Sequence, residues 1–177
     1  MRKFLFLLLL LPVAGFVQAQ NTLGETLKAQ LLKDWQRAKA YTQEYLDAMP
    51  ADKYSFKAQD SIRSFAQQML HLAQANTNLI TNATGQQRPW NRRLEMATSA
   101  QSKDSVVYFV NASYDFVLEG IKNFDVSKLE EKVKAGNLEE TRLAWLLKTF
   151  EHQTHHRGQT TIYIRLVGIK PPNEKLF

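Results

Sequence analysis

The feature that most constrains the fold is a recurrence of apolar residues at steps of three and four in four separate stretches of the chain. This spacing places the apolar side chains on one stripe of a helix. The four predicted helices cover residues 27–49, 62–84, 103–123 and 138–167. Four helices with one apolar stripe each are most simply buried in a four-helix bundle, so we predict an all-α fold. The first and second connections are long for a minimal bundle, and function is often located in such connections.

Capping residues and breakers set the expected helix boundaries. Pro50 is expected to end the first helix, and Ser61 is the expected cap of the second. Asn137 and Glu140 have the spacing of a reciprocal cap, so the fourth helix is predicted to begin at Leu138. Strand signals are nearly absent, because the β-prone runs at 106–110 and 160–164 each lie within a longer helical pattern.

The first 19 residues are typical of a secretory signal peptide. Arg2 and Lys3 precede an apolar run, and small residues follow up to Ala19. An uninterrupted run of about 14 apolar residues, at about 1.5 Å per helical residue, falls short of a hydrocarbon core about 30 Å thick. We therefore expect cleavage without a retained membrane anchor. The mature chain, residues 20–177, is expected to be one domain that is periplasmic or secreted.

Composition excludes several classes of function. The chain contains no cysteine, which excludes thiolate catalysis and Cys-ligated zinc or iron–sulfur sites. Without Arg2 and Lys3, the 23 basic residues become 21 against 17 acidic ones, a formal charge of +4. This small excess is dispersed and lacks the concentrated basic stripe that duplex binding needs. No nucleic-acid partner is expected.

The histidines are clustered. Three of the four lie in one five-residue stretch of the predicted fourth helix, namely His152, His155 and His156. His152 and His156 share its inward stripe, where side chains at i and i+4 have Cβ atoms about 5–6 Å apart, so both rings can reach one ion. His71 lies on the second helix, and side chains on facing bundle helices can converge. His155 is expected to lie outside this set because of its angle around the helix. Arg157, about 100° from His156, is likewise expected to leave the buried face and to meet a carboxylate or solvent.

A metal ion held by His71, His152 and His156 is one interpretation of this pattern. Three imidazoles suit Zn²⁺, Ni²⁺ or Fe²⁺ and leave a coordination position for water. The candidate hydrogen-bond partners of the rings are Gln68, Thr149 and Gln159. A structural role for each histidine stays open at this point, because a buried imidazole can also be satisfied by an ordinary polar neighbour.

The segment 152–159 reads H-Q-T-H-H-R-G-Q, and this H-x-x-x-H-R-G-Q run resembles the signature of the DinB-like (DinB/YfiT) superfamily of metal-binding four-helix bundles. Segments 45–50, 53–57, 61–65 and 70–73 resemble the first loop and second helix of that family in order and spacing. The resemblance covers essentially the whole mature chain. It implies metal ligands at His71, His152 and His156, the same residues that the helical stripes select.

The resemblance also implies a range of activities. Similar proteins include thiol-dependent S-transferases, an isomerase that uses a low-molecular-weight thiol, and metal hydrolases. We therefore expect a metal-dependent enzyme of the hydrolase or transferase type that acts on an unidentified small molecule. No catalytic residue is assigned. The candidate helpers are Gln68, Glu151, Gln159 and Tyr163.

A binding module without turnover is the alternative function. Its motivating feature is the segment 87–93, in which three arginines surround Trp90. This segment can bind a small anion, or it can be a solvated loop whose Trp90 covers the end of the bundle. The amphipathic helices are also compatible with a homodimer.

Overall fold

The protein is described by a computed structural model over residues 4–177, with side chains from Thr22 onward. The elements of this part of the chain are α1 (Phe4–Ala48), α2 (Phe65–Thr84), α3 (Lys103–Asn123), β1 (Lys132–Ala135), β2 (Leu138–Thr141) and α4 (Arg142–Leu166). The expected signal peptide, residues 1–19, lies outside the residues whose side chains are described, so it stays a prediction. Across the residues that could be searched, no helix combines the length and apolarity that a membrane span requires.

The four helices form a bundle in which α1 and α2 each pack against both α3 and α4. The interface between α2 and α4 is the most extensive. Trp35 of α1 is fully buried, and its ring lies edge-on to Tyr114 and Phe150 with centroids 5.5 and 5.4 Å away. The predicted all-α four-helix bundle is confirmed, and the β-prone runs 106–110 and 160–164 are helical as expected.

The start of α2 differs from the prediction. Its cap is Ser64, whose Oγ accepts from the Gln67 backbone N–H, while the Gln67 side chain accepts from the Ser64 N–H. The next two helical N–H groups, of Phe65 and Ala66, donate to carbonyl oxygens of the first connection at 3.0 and 2.8 Å. Ser61 is exposed and precedes the helix, because the connection itself satisfies the orphan donors of the first turn.

The start of α4 was also predicted too early. Leu138 lies in β2, and the helix begins at Arg142 behind a Thr141 cap whose Oγ1 accepts from Ala144. The turn residue Gly136 has φ of +63°, which glycine adopts without steric cost. Residues Gly136 and Asn137 therefore close a two-residue hairpin turn and do not cap a helix.

All three connections are long, at residues 49–64, 85–102 and 124–141. The first two confirm the expectation, and the third contains the hairpin. In the second connection, the half-buried Trp90 ring packs edge-on against Phe109 of α3. The Arg92 guanidinium lies 5.5 Å from the centre of the Phe109 ring. Trp90 thus covers the bundle as expected for a loop of this composition, while residues 93–96 continue toward α2.

Candidate metal centre

The interface between α2 and α4 brings three imidazoles together. His71 of α2 lies with its ring centroid 5.3 Å from His152 and 4.5 Å from His156, and the two α4 rings are 4.3 Å apart. One ligand nitrogen of each residue can be chosen so that all three lie within 4.8 Å of one another. The three residues selected from the sequence therefore converge from two helices.

Local sequence explains why α4 presents polar rings at this level of the bundle. Its buried face is polar over several turns, with Thr149, Gln153 and Thr160 all fully buried. The i and i+4 spacing then places His152 half-buried and His156 almost fully buried on the side that meets α2. His155 is exposed, and the amide of Gln159 lies 3.0 Å from its Nε2, so it is outside the cluster as expected.

Gln68 orients His156. Its Nε2 lies 2.8 Å from Nδ1 of His156, and the same amide is hydrogen bonded to Gln159. Rotation of the amide by 180° would place its oxygen at Nδ1 instead. Gln68 can therefore donate to Nδ1 in one tautomer of the ring and accept from Nδ1–H in the other. Two of the three predicted partner residues, Gln68 and Gln159, therefore lie at the site. Thr149 does not serve this role, because its hydroxyl donates to the Trp145 carbonyl of its own helix at 2.6 Å.

Glu95 fixes His71, and this residue was not predicted. It belongs to a short 3-10 helix, Leu94–Met96, in the second connection. Its Oε2 lies 3.1 Å from Nδ1 of His71 and accepts from Nε of Arg63 at 2.7 Å, while Oε1 accepts from Arg93 at 3.3 Å. A carboxylate on the second nitrogen of a metal-binding imidazole is a common arrangement, because it fixes the ring and its tautomer.

The electrostatic surroundings keep the imidazoles neutral. Burial is the main cause that lowers the pKa of His152 to about 4 and that of His156 to about 3, and neighbouring imidazoles and Arg63 add to it. Burial and Arg63 also lower the pKa of His71, although Glu95 opposes them. Burial disfavours the charged form of Glu95, but Arg63, His71 and Arg93 outweigh it and hold the pKa of this carboxyl below its usual range. Unprotonated imidazoles are the form that binds metal.

The separations of the nitrogen atoms in the cluster suit coordination of a cation better than hydrogen bonding between the rings. Nε2 of His152 lies 3.1 Å from Nε2 of His156, and only one proton can lie between them. Nδ1 of His152 is buried without a hydrogen-bond partner among the described residues. Two nitrogens on one Zn²⁺, each about 2.0–2.1 Å from it, lie about 3 Å apart, so the α4 pair already has a suitable separation. The donor set thus fits a divalent ion of the borderline type.

A cleft of about 740 Å³ adjoins the cluster. The imidazoles do not line it, but Gln68 and Glu95, which contact His156 and His71, do, and so does Gln159, which is hydrogen bonded to Gln68. Residues from the first and second connections form the remaining walls with α4. The cleft has the size of a small-molecule site, and its inner wall is one hydrogen bond away from the imidazoles.

The other candidate helpers have mixed outcomes. Tyr163 lines the cleft, and its hydroxyl donates to the Arg63 carbonyl at 2.8 Å. Glu151 is exposed and does not line the cleft.

Arg157 was expected to leave the buried face, and this was wrong. Its side chain is buried, donates to Gln153 at 3.0 Å and lies 4.6 Å from the Tyr41 ring centre, so a buried amide and an aromatic face replace solvent.

Solved structures with the same fold support the architecture. A DinB-like protein from Bacillus cereus superposes with a TM-score of 0.71 at 18% identity, over 82% of this chain and 95% of that one. A DinB-like protein from Bacillus subtilis gives 0.64 at 17% identity, over 84% and 96%. A conserved protein from Enterococcus faecalis gives 0.62 at 18%, over 78% and 95%. These likenesses show the fold alone.

The sequence itself carries the family assignment. No curated protein matches it. The DinB family profile, in contrast, matches residues 19–176, which include every element of the bundle that contributes to the histidine cluster. With the fold, the cluster and this match in agreement, the chain belongs to the DinB family.

Proposed function

We propose that this protein binds a divalent metal ion, Zn²⁺, Ni²⁺ or Fe²⁺, through His71, His152 and His156, and that it works as a metal-dependent enzyme of the hydrolase or transferase type. The observation that carries the proposal is the meeting of three imidazoles from two helices, with ligand nitrogens within 4.8 Å of one another. His152 and His156 share one face of α4 and His71 comes from α2, so the convergence of the three rings is a property of the bundle. Membership of the DinB family is compatible with this proposal.

The residues around the imidazoles have separate tasks in this proposal. Glu95 accepts a hydrogen bond from Nδ1–H of His71 and so leaves Nε2 of that ring for the ion. When its amide oxygen faces Nδ1 of His156, Gln68 accepts a hydrogen bond from that atom and leaves Nε2 of His156 for the ion. When bound, a divalent ion with an open position lowers the pKa of a coordinated water, polarises a carbonyl or activates a thiol. Arg63 and Gln159, at the wall of the adjoining cleft, are positioned to orient a substrate.

Export is part of the proposal. The basic start and short apolar run of residues 1–19 support secretion to the periplasm or the medium. Amino-terminal sequencing of the protein recovered from the cell envelope should give a chain beginning at or near Gln20. A chain that begins at Met1 and stays with the membranes would contradict export.

Metal content tests the proposal directly. Protein purified from its native envelope, without an affinity tag that loads nickel, should contain close to one divalent ion per chain by elemental analysis. His152→Ala, His156→Ala and His71→Ala should each lose most of it, because two imidazoles make a weak site. His155→Ala is the matched control on the same helix and should keep the ion. Unchanged stoichiometry in His152→Ala would reject the ligand assignment.

A non-catalytic metal-binding or small-ligand module is the second candidate. It is favoured by the saturation of Glu95, which accepts from Arg63, His71 and Arg93 and cannot act as a base without losing those contacts. Turnover of simple esters or of a thiol and an electrophile by the metal-loaded protein separates the two functions. Activity that disappears in His152→Ala supports the enzyme, and stoichiometric ligand binding with no turnover supports the module.

A further inference from the structure

The cleft beside the imidazoles has an apolar rim. Ile62 of the first connection, Met96 of the second and Ile162 of α4 all line it and are exposed. They are three of the ten large hydrophobic side chains that are exposed among the described residues, and they lie together around one cleft. An apolar rim around a small-molecule site contributes affinity for an apolar part of the ligand.

The same cleft has a cationic wall. Lys57, Arg63 and Arg93 line it together with two carboxylates, Asp60 and Glu95, which gives a formal charge of +1. Glu95 is nearly buried and already accepts hydrogen bonds from both arginines and from His71. Arg63 uses Nε for that contact and Arg93 uses one Nη, and no described side chain accepts from the remaining donors of either guanidinium, which can therefore bind another acceptor.

Arg63 connects the cleft to the imidazoles. Its Nε donates to Oε2 of Glu95 at 2.7 Å, and the same oxygen lies 3.1 Å from Nδ1 of His71. A negatively charged group held by Arg63 would therefore lie at the inner wall of the cleft, beside the histidine cluster. An apolar chain attached to it would extend along Ile62 or Ile162 toward the mouth.

We propose that the cleft binds a small amphipathic monoanion, a carboxylate with an apolar chain, whose charged end lies at Arg63 and Arg93 and whose chain covers Ile62, Met96 and Ile162. The proposal rests on the proposed function, which it extends by naming a substrate class. A monoanion is favoured over a dianion because the cleft provides one net positive charge. The volume of about 740 Å³ suits a molecule of this kind and is too small for a folded partner.

Binding of octanoate tests the proposal, with octanamide and acetate as matched probes. Octanamide keeps the chain and removes the charge, and acetate keeps the charge and removes the chain. Isothermal titration of the purified protein should give octanoate at least about tenfold tighter binding than either, since a charge-assisted hydrogen bond or several buried methylenes each exceed that factor. Equal affinity for octanoate and octanamide, or no octanoate binding at millimolar concentration, would overturn the proposal. Tighter binding of octyl phosphate would overturn the choice of a monoanion.

Two pairs of variants locate the site. Arg93→Gln should weaken octanoate binding several-fold, whereas Arg88→Gln in the same connection, which does not line the cleft, should not. Ile162→Ser should weaken it as well, whereas Leu166→Ser, one turn further along α4 and equally exposed, should not. Equal effects within either pair would move the binding site elsewhere and contradict the assignment.

The same titrations with metal-loaded and metal-free protein separate the two proposals. If the protein contains metal but fails to distinguish octanoate from octanamide, the substrate class is wrong and the metal proposal stands. If no metal binds while the octanoate preference is present and depends on Arg93, the cleft assignment stands and the metal proposal fails.

Discussion

At the residue scale, the site is defined by the hydrogen bonds around the imidazoles as much as by the imidazoles themselves. Glu95 holds three donors at once, and two of them, Arg63 and His71, come from regions separated from it by more than twenty positions in the sequence. Such a carboxylate fixes the direction in which His71 presents its other nitrogen. Its removal should therefore act on metal affinity more than on folding.

Glu95→Gln is expected to lower metal affinity about 10- to 100-fold, because the amide is a weaker acceptor for Nδ1 of His71 and leaves the two arginines without a counter-charge. Competition with a chelator of known affinity measures the change. Glu131→Gln is the matched control, since Glu131 also pairs with an arginine, Arg142, but contacts none of the imidazoles. Wild-type affinity in Glu95→Gln would mean that His71 does not depend on this carboxylate.

Tyr114 predicts a second effect, in the alkaline range. Burial raises the pKa of its phenol from the ordinary value of 10.0 to about 12. A group whose pKa is higher in the folded state than in the unfolded state loses its stabilising contribution as the pH rises. The free energy of unfolding should therefore fall between pH 10 and 12.

The Tyr114 effect can be measured by denaturant titration at several pH values. Tyr114→Phe should be less stable at neutral pH, because Thr42 and Gln153 lose their partner, but its stability should fall less steeply above pH 10. Tyr108→Phe is the control, because this side chain is exposed. A slope in Tyr114→Phe equal to that of the wild type would assign the alkaline transition to other groups.

The sequence predicted the three histidines because helical spacing reports which side chains share a face. It could not predict Glu95, since the contact with His71 depends on the path of an irregular connection for which no periodicity exists. The outward direction predicted for Arg157 was wrong for a related reason. Angle around the helix gave its position, but the Tyr41 ring beside its guanidinium comes from tertiary packing, and the Gln153 amide that accepts its hydrogen bond lies one turn earlier on α4.

At the scale of elements, helix interiors followed the sequence pattern, and the starts of α2 and α4 followed the connections that precede them. The third connection shows this clearly. Asn137 and Glu140 have the spacing of a cap, yet Glu140 pairs with Val133 across a hairpin and Lys134 faces Glu139. Short strands of four residues give too little alternation to be recognised in a sequence. Their pairing, with opposite charges across the strands, decided the structure instead.

Ser64 and Ser61 provide a direct test of the α2 start. Ser64→Ala should lower the free energy of unfolding by about 1 kcal/mol, because the capping contact with the Gln67 N–H is lost. Ser61→Ala should change it by less than about 0.5 kcal/mol, as an exposed position usually does. Urea unfolding of the metal-free proteins measures both. The reverse order of effects would mean that the helix begins at Ser61, as the sequence alone predicted.

At the scale of the whole molecule, the proposed ion joins the two helices that share the most extensive interface. A ligand that binds only the folded state stabilises it in proportion to the logarithm of its concentration. The chain has no cysteine, and so no disulfide can support the domain after the proposed export. A metal at the interface between α2 and α4 would take over part of that role.

Saturating Zn²⁺ should raise the free energy of unfolding by about 2.7 kcal/mol when the free ion is at 100 times its dissociation constant. Thermal unfolding with and without a chelator measures this gain. His155→Ala should show the same gain, and His152→Ala should show almost none. Equal stabilisation of the wild type and His152→Ala would place the ion at another site. The expected homodimer stays a prediction that sedimentation can test.

The ligands of the proposed ion are built on helices, whereas most of the cleft wall is built on the two connections that precede and follow α2. Substitutions, insertions and deletions in those connections can therefore change which molecule is accepted without moving the imidazoles. Relatives with little sequence in common can in this way retain one reactive centre while they diverge in selectivity. Because the proposed metal ligands and most of the cleft wall lie on different elements, residues 57–63 and 93–96 are the natural targets for redesigning what the protein recognises.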